Sequence, residues 1–494
     1  MVSPVSSVVI FPAVVAVISH YIFNRHEPNA LHFVLGLLGY AQISSLVQWA
    51  RGCYIIDAIY NSAAFLGIYL LMLSLSISFY RLGPWHPLAK YPGPRLAHLT
   101  KWWMVNQVVF RGGRHAKLQQ SVLSTLRYLD SLTDDPSGSM KKMVRGSGST
   151  RIAQLVEILK KKSTNGRTIP LDYWIYLFFL DTMGDIGFSG GFESMKTEKD
   201  TEGWLLHSMG QIPWLKDIVN ILPRRGPIDS FHRSIEKKIY QVGDSNSARG
   251  KRLDILGFLL DSSSEAKLTP GEVIADAALI VVSATDTSVQ AVVTIFRYLG
   301  LDRDRQSRLR DEVNSVLSNI VDDDGDSLAS AIARLPFLDA CVQESLRIVP
   351  PGPFGPLRTT GGSGAFVCGE HIPLNTTIHV PVYAMHRDPA HFGPLAGKFI
   401  PERWMDEDPV RQALASDLPP IDRTSFMPFG AGFGSCIGKN LAIQNVKLLV
   451  AHLVHNFEVS CASDFDVDTF DQSYKEFGIW QHNALPVTLV ERQT

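Results

Sequence analysis

The chain has 494 residues, of which 45% are hydrophobic and 19% are charged, and its formal net charge is -1. A chain this apolar can bury a large core, which excludes a mostly disordered protein. Because 47 basic residues are balanced by 48 acidic ones, there is no cationic excess for binding nucleic acid. The five scattered cysteines are too few for a disulfide framework, and their odd number raises the question of which thiol carries chemistry.

Residues 1–80 form a predicted membrane anchor. They contain only four charged residues, which are Arg25, Glu27, Arg51 and Asp57. Three apolar runs, at 5–23, 31–50 and 54–80, approach or exceed the roughly 20 residues that a helix needs to cross a bilayer. We therefore expect three membrane spans, the first being the weakest because Pro12 interrupts it. A re-entrant or interfacial hairpin is the alternative.

A stiff hinge is predicted at 81–95, because four prolines there fix φ and prevent a continued helix. Basic residues lie in and just after this segment, namely Arg81, Lys90, Arg95 and Lys101. The positive-inside rule places this side of the membrane, and with it the rest of the chain, in the cytosol.

The remaining residues, 96–494, have the pattern of a mainly helical soluble domain with short strands near the C-terminus. Apolar residues at helical spacing predict helices at 118–132, 152–162, 173–187, 202–222, 228–242 and 270–301. The last of these has Thr269 as its N-cap and Pro270 at its first position. The Gly- and Ser-rich stretch 134–150 predicts an exposed loop, and the acidic run 322–326 predicts a solvated loop.

The most informative segment is the cysteine loop, residues 429–438, in which four glycines surround Cys436. A helical pattern at 439–454 follows directly, so the cysteine lies close to a helix N-terminus. Amide donors and the helix dipole at such a position stabilise a thiolate, which suits an axial metal ligand. The alternative is a structural cysteine in a Gly-rich turn.

The cysteine loop resembles the F-x-x-G-x-R-x-C-x-G signature of the cytochrome P450 family, the haem-thiolate monooxygenases. Phe429, Gly432, Cys436 and Gly438 match that signature, whereas Gly434 stands where the family has arginine or histidine. The resemblance implies a mainly α fold with small β-sheets (α+β) and haem b (iron protoporphyrin IX), with Cys436 as the axial ligand of the iron. It also implies a set of haem-binding residues: Cys436, Arg358, Phe429, Gly430, Gly432, Gly438 and Ala284.

Two further motifs occur in the family's order. Glu344 to Arg347 matches E-x-x-R, whose charged residues share one helix face and can pair. The segment 399–404 resembles P-E-R-F/W, and the resemblance implies that its Arg403 joins Glu344 and Arg347 in a structural triad. Such a network of charge-assisted hydrogen bonds can fix the region behind the cysteine loop.

The segment 283–288 on the long predicted helix resembles the family's A/G-G-x-D/E-T-T/S motif. Small residues at 283 and 284 allow a ligand to approach the helix. The resemblance implies that Thr287 and Asp286 are catalytic and support proton delivery to bound oxygen. Taken by themselves, the two residues are better explained as ordinary polar residues on a helix edge.

Smaller matches agree with these motifs. Arg358 lies in a segment that, by resemblance, brings an arginine to a haem propionate, with Phe354 and Leu357 as possible pocket residues. The segment 383–389 matches the H-R-D-P turn, which we expect to be structural. By resemblance, the C-terminal loop 477–480 places Phe477 and Ile479 next to the substrate.

The resemblance fails between 113 and 163, where we expect several tens of the family's residues to be absent. A helix carrying W-x-x-x-R is expected before this point, but Trp102 and Trp103 are followed four places on by Asn106 and Gln107. We therefore keep an alternative: a truncated, catalytically impaired membrane protein that retains only the C-terminal half of the fold and binds haem poorly.

The family resemblance implies a monooxygenase that inserts one oxygen atom from O2 into a lipophilic substrate, by hydroxylation or epoxidation. Electrons are expected from NADPH through a separate NADPH-cytochrome P450 reductase, because the chain carries no flavin or nicotinamide fingerprint. Lys439 and Lys447 flank the expected docking side, but we interpret them as ordinary helix-surface lysines. The anchor and hinge are similar to those of endoplasmic reticulum-bound fungal members that modify terpenoids, polyketides or alkaloids.

Overall fold

The computed structural model describes residues 4–25, 30–86, 89, 147–188, 190, 192–198, 270–317, 325–367, 369–432 and 435–492. Contacts divide the chain into two units, described separately below: residues 1–111 with 206–225, and residues 112–205 with 226–494. The segments outside the described residues include the predicted helices at 118–132, 202–222 and 228–242, the hinge residues 90–95, the acidic residues 322–324, and Trp102, Trp103, Asn106, Gln107 and Gly434.

The described residues of the N-terminal unit contain three helices, α1 (Pro4–Phe23), α2 (Ala30–Ala50) and α3 (Ile55–Leu82), one for each predicted apolar run. The stretches His32–Ala50 and Ile55–Leu82 are long and apolar enough to cross a membrane. The apolar part of α1 is shorter, Ile10–Phe23, and contains Pro12. The number of spans therefore stays a prediction, with α2 and α3 as the two strongest.

Polar side chains connect α2 with α3. Ser62 is buried, and its hydroxyl lies 3.0 Å from that of Ser44 and 3.1 Å from that of Ser45. Gln48 Nε2 donates to Ser62 Oγ at 3.3 Å, and Asn61 Nδ2 donates to Gln48 Oε1 at 3.1 Å. In a lipid environment such contacts between polar side chains hold helices together. The two helices therefore have a specific contact besides the packing of apolar residues.

The second unit is mainly helical, as predicted. Its described helices are α4 (Ser147–Lys162), α5 (Leu171–Phe188), α6 (Ser194–Thr197), α7 (Pro270–Leu299), α8 (Arg303–Leu317), α9 (Gly325–Ile332), α10 (Pro336–Ile348), α11 (Val382–Met385), α12 (Pro389–Phe392), α13 (Pro409–Ala413), α14 (Lys439–Asn456) and α15 (Val467–Gln472). Two short 3-10 turns are formed by Thr164–Gly166 and Pro401–Trp404.

The β-sheets of the second unit are small. Within the part of the unit that the structure describes, the strands are β1 (Thr168–Pro170), β2 (Arg358–Thr359), β3 (Ala365–Val367), β4 (Glu370–Ile372), β5 (Thr377–Ile378), β6 (Phe457–Cys461), β7 (Lys475–Glu476), β8 (Trp480–Gln481) and β9 (Pro486–Glu491). They form one antiparallel three-stranded sheet of order β1-β9-β6 and three antiparallel pairs, β2-β5, β3-β4 and β7-β8. Ile169 pairs with Val487, so the sheet joins the middle of the chain to its C-terminal end.

Helices α5, α7 and α14 contribute the centre of the core. Their most deeply buried side chains include Leu177, Phe178, Phe179, Val292, Phe296, Leu449 and Val454. The stretch Leu279–Leu299 of α7 is also long and apolar enough to cross a membrane, but 56% of that stretch is buried inside the protein. The apolar residues of this helix are therefore explained by its packing in the protein core.

Helix ends show where the sequence-based bounds needed correction. Helix α7 ends at Leu299 rather than at 301, and the Gly300 N–H donates to the Phe296 carbonyl at 2.8 Å. A Cβ on Gly300 would lie 2.7 Å from that oxygen, so only glycine fits there. The loop predicted at 134–150 is wrong for its last four residues, because α4 begins at Ser147.

Candidate functional site

The backbone of the cysteine loop is closed by its own hydrogen bonds. The Cys436 N–H donates to the Phe429 carbonyl at 2.8 Å, and the Gly430 N–H donates to the Met427 carbonyl at 3.0 Å. Gly430 and Gly432 have φ values of 71° and 69°, a region that side-chain-bearing residues rarely adopt. The backbone conformation therefore explains why glycine occupies both positions.

Cys436 lies just before helix α14, as the sequence predicted. The residue is exposed, and Gly438 is the N-cap residue of the helix that begins at Lys439. A Cβ on Gly438 would make ordinary contact, at 3.9 Å, with the Cys436 sulfur. Phe429 packs partly buried against the main core, with the Lys439 ammonium 6.0 Å from the centre of its ring. The loop is thus attached to the core at Phe429 and leaves the thiol accessible.

The middle of α7 presents an incompletely buried strip. Leu279 is 55% exposed, Ser283 is exposed, and Ala284, Asp286 and Thr287 are half-buried. The Thr287 hydroxyl donates to the Ser283 carbonyl at 2.5 Å, one helical turn back. This hydrogen bond orients the hydroxyl toward the helix backbone. The lone pairs of its oxygen stay available to accept a hydrogen bond from another donor.

Glu344 accepts hydrogen bonds from both predicted arginines. Arg347 forms a bidentate pair with it at 2.8 Å for each bond, and Arg403 Nε donates to Glu344 Oε1 at 3.1 Å. All three side chains are at most 2% exposed. Burial alone would raise the pKa of Glu344, but the two guanidinium groups hold that pKa below its usual value. The carboxylate therefore stays charged inside the protein.

The Glu344 carboxylate also accepts two hydrogen bonds that the sequence did not indicate. The Ile400 N–H donates to Oε1 at 2.8 Å, and the Trp404 indole N–H donates to Oε2 at 3.0 Å. Arg347 donates further to the carbonyls of His386, Ala396 and Lys398. The network thus fixes the backbone of the whole segment from 386 to 404. The motif match predicted the charges but contained no signal for these backbone acceptors.

His386 connects this network to the start of the cysteine loop. Its imidazole is fully buried and stacks on Phe426, with ring centres 5.3 Å apart. Nε2 accepts the Met427 N–H at 3.0 Å, so the ring proton is on Nδ1, which donates to the Arg347 carbonyl at 3.2 Å. Burial, together with the Arg347 charge, lowers the pKa of His386 to about 3. The imidazole is therefore neutral and both nitrogens are occupied.

Arg358 lies on β2 with an exposed side chain, and Nη1 donates to the carbonyl of its neighbour Leu357 at 3.1 Å. Phe354 is 7% exposed and stacks on the His379 imidazole, with ring centres 3.8 Å apart. The Phe354 ring is thus largely covered, whereas Leu357 is 43% exposed. Arg358 is placed where its guanidinium can reach an anion.

The C-terminal loop is the tip of the β7-β8 hairpin. Phe477 and Ile479 are half-buried, and the Phe477 N–H donates to the Ile479 carbonyl at 2.9 Å. The hairpin is fixed by the Trp480 indole, which donates to the Pro350 carbonyl at 2.8 Å. Contact of this tip with a substrate stays a prediction.

The interpretation of Lys447 as a surface lysine was wrong. Its side chain is 6% exposed, and Nζ lies 2.6 Å from Asp339 Oδ1 and donates to the Ala333 carbonyl at 2.8 Å. This position on α14 faces α10 and the end of α9, so a charged residue there needs the partners that it has. Lys439, in contrast, is exposed.

Comparisons with known proteins agree with the motifs. The family model described as cytochrome P450 matches residues 87–484. The chain is 26% identical to "Cytochrome P450 67" of Uromyces fabae, over 94% of this chain and 96% of that protein. It is 23% identical to "Cytochrome P450 monooxygenase notG'" of Aspergillus versicolor, over 99% of both chains. It is also 29% identical to "Cytochrome P450 monooxygenase mpaDE" of Penicillium brevicompactum, over 62% of this chain but only 37% of that protein.

A helical fold with small sheets, an exposed cysteine on a Gly-rich loop and a buried Glu-Arg-Arg network together define a haem-thiolate protein. With the family model matching most of its length, the chain belongs to the cytochrome P450 family. It is an oxidoreductase of the monooxygenase type, with relatives from fungal secondary metabolism. The match begins at residue 87, so it extends well beyond the C-terminal half of the fold.

The alignment with the Uromyces fabae protein extends over 546 positions, whereas the chain has 494 residues in all. Some of that relative's residues therefore have no counterpart here. The location of the gap, at about 113–163, stays a prediction.

The residues present fit the haem iron that the family uses. The donor is a single accessible thiol at the start of a helix, with glycines on both sides that allow a flat group to approach. The incompletely buried strip on α7 includes small and polar residues, namely Ser283, Ala284 and Thr287. This donor set matches a thiolate-ligated iron and not a site made of several protein ligands; among the described residues no group of three His, Cys, Asp or Glu side chains could hold a metal.

Proposed function

We propose that this protein inserts one oxygen atom from O2 into a lipophilic organic substrate, by hydroxylation or epoxidation. The observation that carries this proposal is the exposed Cys436 thiol on a loop held by the Phe429 carbonyl, in a chain of the cytochrome P450 family. Fungal relatives named as P450 monooxygenases support a role in secondary metabolism, such as the modification of a terpenoid, a polyketide or an alkaloid.

Haem b is the proposed cofactor, and the Cys436 thiolate would hold its iron. The bound haem would supply the activation of O2, which an electron-rich thiolate favours. Phe429, Gly430, Gly432 and Gly438 shape the loop around the sulfur, and Ala284 keeps the helix surface small. Arg358 is the proposed anchor of a propionate, since its exposed guanidinium can form a bidentate pair with a carboxylate.

Asp286 and Thr287 are the proposed proton-handling residues. The Thr287 hydroxyl is oriented by its hydrogen bond to the Ser283 carbonyl. The Thr287 oxygen can therefore accept a hydrogen bond from a proton donor on its other side. Asp286, half-buried at the adjacent position, is the proposed group that passes a proton toward Thr287.

The proposed electron source is NADPH, through a separate NADPH-cytochrome P450 reductase. We also propose that residues 1–80 anchor the protein in the endoplasmic reticulum membrane, with 81–95 as the hinge and 96–494 as a haem domain in the cytosol. The apolar helices α2 and α3 support the anchor, and the basic residues after α3 support the orientation.

The test is turnover by the full chain, reconstituted with a fungal reductase and NADPH and supplied with candidate terpenoids. We expect an oxygenated product that incorporates one atom from labelled O2, and no product from Cys436→Ala. Failure to bind haem would instead favour the alternative of an impaired, truncated protein, which the shorter length and Gly434 motivate. A rearranged product without labelled oxygen would contradict the proposed reaction.

A further inference from the structure

We propose that His386 is a positioning residue for Cys436, transmitting the rigid geometry of the Glu344-Arg347-Arg403 network to the cysteine loop through Met427. This inference rests on the proposed function, because it concerns the loop that holds the iron ligand. The H-R-D-P motif indicated only a structural turn at this place. The hydrogen bonds show which two parts of the protein that turn connects.

One side of His386 is fixed to helix α10 by two hydrogen bonds in opposite directions. Nδ1 donates to the Arg347 carbonyl at 3.2 Å, and Arg347 Nη1 donates to the His386 carbonyl at 2.7 Å. Arg347 is itself held by both oxygens of Glu344. Since all three residues are fully buried, none of these bonds competes with water, and His386 has one defined place.

The other side of His386 holds the segment that leads into the cysteine loop. Its Nε2 accepts the Met427 N–H at 3.0 Å. The Met427 carbonyl accepts the Gly430 N–H at 3.0 Å, and the Phe429 carbonyl accepts the Cys436 N–H at 2.8 Å. A displacement of Met427 therefore passes directly to the backbone that positions the sulfur.

The loop needs this external attachment because glycines give it little stiffness of its own. Gly430 and Gly432 both adopt positive φ, and no side chain restricts them. An imidazole suits the connection, because a rigid ring offers one donor and one acceptor on opposite sides. Stacking on Phe426 fixes the plane of the ring. A displacement of about 1 Å at a reacting centre is enough to reduce catalysis strongly.

Three substitutions in the full chain separate positioning from bulk packing. His386→Phe keeps a ring that can stack on Phe426 but removes both hydrogen bonds. His386→Gln keeps a donor and an acceptor on a side chain of similar reach. His386→Asn keeps a donor for the Arg347 carbonyl but is too short to reach Met427. The matched control is His371→Phe, which changes an exposed imidazole on β4.

The measurements use the haem-loaded protein but do not depend on turnover. We expect His386→Phe to release haem to an excess of a scavenging apoprotein at least about fivefold faster than wild type, because even one of the two lost buried hydrogen bonds has an effect of that size. Its ferrous carbon monoxide complex should lose most of the thiolate-type Soret band. Amide exchange at 427–430 should rise, while near-ultraviolet circular dichroism stays native. His386→Gln and His371→Phe should match the wild type.

Should His386→Phe fail to fold, the comparison of His386→Asn with His386→Gln decides the question. The inference predicts that the Asn variant loses haem faster and exchanges the 427–430 amides faster than the Gln variant. It is overturned if the Phe variant folds and keeps the wild-type band and haem-loss rate, or if the Asn and Gln variants are equal. A wild-type protein without any thiolate band would instead contradict the proposed function itself.

Discussion

Three charged side chains, Glu344, Arg347 and Arg403, lie where water does not reach them. Their pairing does not have to stabilise the fold more than apolar residues would, because removing three charges from water is costly. The network does fix the backbone, since Arg347 alone donates hydrogen bonds to the carbonyls of residues 386, 396 and 398. Breaking it should therefore lower the stability of the protein and displace this segment.

Glu344→Gln tests this network. The substitution leaves two buried guanidinium groups without a counter-charge, so we expect a loss of about 3–5 kcal/mol in the free energy of unfolding. Denaturant titration of the detergent-solubilised protein, followed by circular dichroism, measures this loss. Glu407→Gln, at an exposed glutamate, is the control and should change stability by less than about 0.5 kcal/mol. A Glu344→Gln loss as small as that of the control would contradict the account.

The pH dependence of stability follows from His386. Because burial and Arg347 lower its pKa from 6.5 to about 3, the folded protein holds this imidazole neutral while the unfolded chain binds a proton below pH 6.5. Its contribution is therefore fully present above pH 6.5 and is lost as pH falls, by about 1.4 kcal/mol per pH unit. Unfolding free energies measured between pH 7.5 and 5 should fall more steeply for the wild type than for His386→Gln. Parallel curves would show that His386 does not have this pKa.

At the scale of elements, α7 combines two tasks along one helix. Its C-terminal half is core, with Val292 and Phe296 fully buried. Its middle has the half-buried positions 284, 286 and 287. The change from buried to partly exposed occurs within two turns, so the buried C-terminal half fixes the position of the proposed proton-handling residues.

Thr287→Ala is expected to uncouple the reaction. The variant loses the hydroxyl that Ser283 orients, so NADPH should still be consumed while product per NADPH falls by about tenfold or more. Thr287→Ser keeps a hydroxyl and should retain most of the coupling. The ratio of product to NADPH, with peroxide measured alongside, gives the answer. Equal coupling in the Ala variant and the wild type would exclude Thr287 from proton delivery.

The contact between α2 and α3 is testable by cross-linking. The hydroxyls of Ser45 and Ser62 lie 3.1 Å apart, a separation compatible with a disulfide between cysteines at these positions. In a Cys53→Ser background with a protease site inserted between the helices, Ser45→Cys/Ser62→Cys should form a cross-link under mild oxidation. The matched pair Ser45→Cys/Ser74→Cys should not, because Ser74 lies about 18 Å further along α3 than Ser62. Equal cross-linking of both pairs would contradict this packing.

Much of the architecture at this scale was readable from the sequence. Apolar periodicity predicted α5, the bulk of α7 and α14, and motif order predicted the Glu344 triad. The predicted ends of helices were less accurate where Gly and Ser occur, because these residues are found both in loops and in the first turn of helices. Residues 147–150, predicted as loop, belong to helix α4. Lys447 was misread because a single charge on a helix does not indicate which neighbour covers it. The links through His386 depend on backbone groups, which no side-chain pattern reports.

Over the whole molecule, the length distinguishes this chain from the Uromyces fabae relative, some of whose residues have no counterpart here. The family match from 87 to 484 establishes the class of enzyme. The described residues include the thiol, the α7 strip and the network behind the loop, to which we assign the proposed roles. We therefore expect activity despite the shorter length.

The most direct test of the account is the carbon monoxide difference spectrum of the reduced full chain, with Cys436→Ala beside it. We predict a strong and stable thiolate-type Soret band in the wild type, and no such band in the variant. A wild-type protein that takes up haem without forming this band, or a Cys436→Ala variant that keeps it, would contradict the assignment of Cys436 as the iron ligand.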